Sequence, residues 1–126
     1  MSHPESIRLT REIIGAAIEV HRHHGPGLLE SAYDESLYWE LSDRGMTVDR
    51  QRSIPLVYKT RLIRAVYRPD MIVNQSVLVE IKAVEKVLPV HRAQLLTYLK
   101  MTHLTVGLLF NFNEAILAHG ISRVSL

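Results

Sequence analysis

Hydrophobic positions in the first segment recur at helical spacing: Ile7, Ile13, Ile14, Ala17 and Ile18, with His21, are separated by Arg8, Arg11, Glu12 and Glu19. This predicts a helix over about residues 5–22. His23-His24-Gly25-Pro26-Gly27 ends it, because two glycines around a proline favour a turn. From Glu30 to Arg44, Tyr33, Leu37 and Leu41 restore the helical period, and Gly45 stands where a left-handed C-terminal cap would. Beyond Gly45, β-branched and aromatic residues predict three strands, Met46–Tyr58, Leu62–Val73 and Val77–Ile81. The polar breaks Lys59-Thr60-Arg61 and Asn74-Gln75-Ser76 are short enough for hairpin turns, so the sheet should begin as an antiparallel meander. Pro89 can open a third helix, running to about Thr102 through Leu95, Leu96 and Leu99. Leu104–Phe110 reads as a buried strand and Ile121–Ser125 as a short last one. The order α-α-β-β-β-α-β argues for an α/β fold in which α-helices flank a mixed β-sheet.

Composition narrows this further. With 126 residues, 47% of them hydrophobic, the chain can build one core, spanning residues 1–126, and has no length for a second. Zero cysteines exclude a disulfide framework, thiolate zinc sites and a cysteine nucleophile, and point to a reducing compartment. The first residues have no apolar core of signal-peptide length, and Leu104–Phe112 falls far short of the roughly 20 residues that cross a bilayer. The expectation is a soluble, cytoplasmic protein with no membrane partner. The net charge of +2 declares no partner by itself. Between Arg44 and Arg68, however, Arg44, Arg50, Arg52, Lys59, Arg61, Arg64 and Arg68 face one acid, Asp49. That segment is either a solvated strand pair or a surface for phosphates.

The candidate chemistry lies around the second hairpin. Directly opposed residues of an antiparallel pair have a constant index sum and point to one face. A three-residue loop at Asn74-Gln75-Ser76 pairs Val73 with Val77, Ile72 with Leu78, Met71 with Val79 and then Asp70 with Glu80. The two carboxylates then lie about 5 Å apart, with Lys82 on the same face and Val77, Val79 and Ile81 on the other. Such carboxylates repel unless a proton or cation lies between them. Either Lys82 alone completes an ion-paired structural triad, or a hard divalent cation sits there. Mg²⁺ prefers oxygen ligands and would suit Asp70, Glu80 and the Ile81 carbonyl, leaving Lys82 free to position or deprotonate a water. Glu30 shares the stripe of Tyr33, Leu37 and Leu41, an unusual place for an acid that the positive end of the helix dipole would also explain. Gln94 and Tyr98, one turn apart with His91 three residues earlier, form a polar stripe that either faces the acids or edges a half-buried helix. A zinc site at His21, His23 and His24 is disfavoured, since no cysteine exists and the glycine turn fixes no ligand geometry.

Pro69-Asp70 with Glu80-Ile81-Lys82 resembles the signature of the PD-(D/E)XK nuclease superfamily, whose fold is restriction-endonuclease-like. Gln94-Leu95-Leu96-Thr97-Tyr98 is similar to the Q-x-x-x-Y element of its RecB-like and Cas4-like branches. Gly27-Leu28-Leu29-Glu30-Ser31-Ala32-Tyr33 resembles the motif of the GxxExxY family. The resemblance implies a metal-dependent nuclease hydrolysing phosphodiester bonds, in DNA before RNA, with Mg²⁺ as cofactor and Mn²⁺ as substitute. Asp70, Glu80, Ile81 and Glu30 would hold the metal, Lys82 would align the water, and Gln94 would orient Lys82 or touch the nucleic-acid backbone. Arg50, Arg52, Arg61, Arg64, Arg68 and Tyr98 would bind nucleic acid. The alternative is a non-catalytic nucleic-acid-binding or assembly module retaining the fold. A domain this small could also form a homodimer to engage two strands.

Overall fold

The computed structural model describes residues 1–50 and 52–126; Gln51, inside the first predicted strand, lies outside the described residues. Helix α1 spans His3–His24 and α2 spans Glu30–Asp43. The Ser2 hydroxyl caps α1 by accepting the Glu5 N–H. Gly45, at φ +88°, provides the expected left-handed residue after α2. Strands β1 (Val48–Asp49), β2 (Ile54–Tyr58), β3 (Arg61–Tyr67), β4 (Met71–Val73) and β5 (Val77–Lys82) follow, then α3 (Pro89–Thr102) and β6 (Val106–Asn111). A 3-10 turn over Leu117–Gly120 leads into β7 (Ile121–Ser125).

Five strands form a mixed sheet in the order β1-β4-β5-β6-β7, in which only β5 and β6 run parallel. The α3 crossover that parallel pairing demands covers one face, through Leu95, Tyr98 and Leu99 against Ile72, Leu78 and Leu109. The long amphipathic α1 and the shorter α2 cover the other, where Ile13, Ala17, Tyr33, Leu37 and Leu41 meet Met71, Val79, Ile81, Leu108 and Phe110. With both faces covered, β5 and β6 are buried along nearly their whole length. This is the expected α/β architecture, consistent with a restriction-endonuclease-like fold.

The single meander is corrected. The first two predicted strands each divide: Met46–Tyr58 into β1 and β2, and Leu62–Val73 into β3 and β4. β2 and β3 form a separate two-stranded sheet. Pro69 causes the second break, because it has no N–H for a ladder, and Pro55 sits in a strand with an open edge. The hairpin turn is Lys59-Thr60 alone, with Tyr58 paired to Arg61 and Lys59 at φ +57°.

Candidate active site

The second hairpin has the expected register, Val73 with Val77, Ile72 with Leu78 and Met71 with Val79. Asn74 and Gln75 turn it at φ +50° and +56°. The Asn74 side chain accepts the Thr47 N–H (2.8 Å), tying the turn to the start of β1. One step past Met71–Val79, the ladder gives way to side chains. The Asp70 N–H donates to Glu80 Oε1 (3.0 Å), and the Ile81 N–H donates to Asp70 Oδ2 (2.7 Å). Each acid thus reaches into the other's strand, and the interlock holds the carboxylates together where backbone pairing ends. Since N–H and C=O of one strand residue point the same way, the Ile81 carbonyl also leaves the ladder on this side. The Lys82 carbonyl points the other way and accepts the Phe112 N–H (2.9 Å).

Burial makes this pair electrostatically costly. Glu80 is 5% exposed. Its carboxyl is pushed up to about 8, first by burial and then by the charge of Asp70. Asp70 is raised too, again by burial first, with the Ile81 N–H pulling the other way and Asp34 adding to the rise. The pair therefore shares a proton near neutral pH. Glu30, exposed at the start of α2, is raised by desolvation and then by Asp70, while Lys82 pulls it down. Among the described residues, no three His, Cys, Asp or Glu side chains are gathered closely enough to enclose an ion by themselves. Asp70 and Glu80 form a two-carboxylate cradle, and Glu30 is not gathered with them. Their all-oxygen donor set, with the freed Ile81 carbonyl, fits a hard divalent cation.

The motif around Glu30 acts on its loop. Gly25 and Gly27 take φ +69° and +100°, conformations costly for other residues. The Tyr33 hydroxyl donates to the Gly25 carbonyl (2.6 Å) and accepts the Leu28 N–H (3.1 Å), while its ring stacks on Phe112 at 4.6 Å. Tyr33 thus clamps the turn that delivers Glu30. On α3, Gln94 Nε2 donates to the Tyr98 hydroxyl at 3.3 Å. The Tyr98 hydroxyl is raised by burial, then by the charges of Glu80 and Asp70, and the Tyr98 ring packs with Leu78, which shares the β5 face of Glu80. His91 instead caps α3, its Nδ1 accepting the Leu88 N–H (3.0 Å).

The arginines divide into two sets. Arg50 pairs with Asp34 at 2.8 Å and lies over the Tyr38 ring at 4.6 Å. Arg52 pairs with Asp49 at 2.8 Å, and Arg68 donates to the Ser53 hydroxyl at 3.1 Å. Arg61 and Arg64 stand exposed on β3, outside the ion pairs found among the described residues. The histidines likewise scatter: His21 is buried and donates to the Glu114 carbonyl (2.7 Å), whereas His24 bonds the Ser36 hydroxyl.

Two contributors escape sequence reasoning. Asp34, one turn beyond Glu30, raises both Glu30 and Asp70. Asn111, fully buried, accepts the Val84 N–H (3.1 Å) and donates to the Val84 carbonyl (2.9 Å), pinning the chain just after Lys82. The available signal was one amide inside the apolar run Val106–Phe112, since a buried amide needs partners.

The family model for the PD-(D/E)XK nuclease superfamily matches residues 7–124, from within α1 to within β7. This chain belongs to the PD-(D/E)XK nuclease superfamily. No curated protein and no solved structure matches it. The superfamily's chemistry is nuclease chemistry, generally with divalent metals and with nucleic acid as substrate. No helix among the described residues is long and apolar enough to cross a membrane.

Proposed function

We propose that this protein is a divalent-metal-dependent phosphodiesterase acting on nucleic acid, DNA in the first instance. The observation that carries the reading is the Asp70–Glu80 interlock at the end of the β4–β5 ladder, with Lys82 two residues past Glu80 on the same strand face. Asp70, Glu80 and the Ile81 carbonyl would hold Mg²⁺ or Mn²⁺, with Glu30 as a further acid. The bound cation would supply positive charge to the phosphate oxygens as negative charge builds on them. Lys82 holds and orients the water that attacks phosphorus. Gln94 and Tyr98, bonded to each other at 3.3 Å, form the α3 wall of the cleft. Arg61 and Arg64 supply phosphate contacts along β3, whereas Arg50 and Arg52 already spend their charge on Asp34 and Asp49.

The Tyr33 clamp also supports membership of the GxxExxY branch, because it accounts for each motif residue. Gly27 makes the turn at φ +100°, Tyr33 clamps it through Gly25 and Leu28, and Glu30 follows at the start of α2.

The test is cleavage of supercoiled plasmid and of end-labelled DNA and RNA strands, in Mg²⁺, in Mn²⁺ and in EDTA. Cleavage should require the metal, vanish in Glu80→Gln and fall about 10²–10⁴-fold in Lys82→Ala. Metal-dependent binding without cleavage of any substrate would favour the assembly-module alternative.

A further inference from the structure

An open groove of about 500 Å³ lies between the end of β3 and α3, lined by Tyr67, Val90, His91, Ala93, Gln94, Thr97 and Tyr98. Its walls are mostly carbon, and Val90 is 63% exposed at the rim. Asp70, Glu80 and Lys82 do not line the groove, and the His91 ring that does is tied to the Leu88 N–H. Tyr98 joins groove and acids: its ring lines the groove and packs with Ile72 and Leu78, and Glu80 follows Leu78 on the same face of β5. Tyr67 packs against the same cluster.

These features say what fits. A phosphodiester at the acids carries a nucleoside on each side, and the nearest covered apolar surface is this groove. An aromatic face with a few polar groups at its edge takes a planar ring, and stacking on it is indifferent to sequence. A duplex keeps its bases stacked and paired inside, so only an unpaired nucleotide can place one here.

We propose that the groove binds the base of a nucleotide flanking the scissile phosphodiester, its ring against Tyr67 and its edge toward Gln94 and Thr97, so that the substrate is a single strand or an unpaired end. This rests on the phosphodiesterase reading above.

The test uses the wild-type protein in EDTA, where the metal that cleavage requires is withheld, and fluorescent twelve-residue strands. One is oligothymidylate, one an abasic chain of equal charge, and one a duplex. Oligothymidylate should bind about tenfold tighter than the abasic chain. Tyr67→Ala, and Ala93→Leu, which fills the groove from an exposed helix position, should lower oligothymidylate binding to the abasic level while leaving the abasic chain unchanged. Tyr67→Phe should restore it, and circular dichroism confirms that each variant is folded. Equal binding of thymidylate and abasic chains, or tighter binding of the duplex, overturns the groove assignment while wild-type cleavage still upholds the nuclease reading. If no strand binds and wild type cleaves none, both readings fall together.

Discussion

At the scale of single residues, Glu80 dominates. Its carboxyl ordinarily titrates near 4.5 and is held near 8 in the fold, so folding favours the protonated form. That contribution is fully present below about 4.5 and is lost as pH rises through about 8. The metal-free protein should therefore melt at progressively lower temperature between pH 5 and pH 9, as on the order of one proton is given up. Glu80→Gln should flatten that slope, and calorimetric melts at several pH values in EDTA will read it. A slope unchanged by the substitution would mean that another group carries it. This residue-level chemistry was legible in the sequence because it depends on counting: a three-residue turn fixes which acids oppose each other, whatever surrounds them. Asp34 and Asn111 were not legible, because their roles depend on what tertiary packing places beside them. Asp34 acts on the cleft from α2, and Asn111 reaches across 27 residues to Val84.

At the scale of elements, the site depends on how α3 lies against the sheet. Gly107 of β6 leaves room for Leu95: a Cβ there would come within 2.9 Å of Leu95 Cδ1 and 3.0 Å of its Cγ. Leu95 is fully buried against this strand. Leu95→Ala should cost about 2–5 kcal/mol in urea unfolding. Adding Gly107→Ala to that variant should cost less than the same change in wild type, because its clash partner is gone. Strictly additive costs would show that α3 is seated elsewhere. The three helices and their ends could be read closely from the sequence, since periodicity, Pro89 and Gly45 are local signals. The separate β2–β3 sheet could not, because continuous β-forming stretches do not reveal which partner each half will choose. Its exposed Val57, Leu62 and Val66 look like half-buried strand positions in sequence, and only tertiary structure leaves them outside the main sheet.

At the scale of the whole molecule, the sheet carries a core on each face, and both reach the candidate site. The larger core, under α1 and α2, contains Tyr33 and Phe112, whose stacking links the Glu30 loop to the end of β6. The smaller core, under α3, ends at Glu80, Tyr98 and the groove. Both cores converge on the end of β5, where Asp70 and Glu80 interlock. On the reading proposed above, this costly pair exchanges its proton for a divalent cation. Isothermal titration of Mn²⁺ at pH 7, run in two buffers of different ionisation enthalpy, counts the protons released per ion bound. One ion should bind with release of about one proton, and binding should be lost in Asp70→Asn and Glu80→Gln. No Mn²⁺ binding by the wild type, or binding that survives both substitutions, would contradict it.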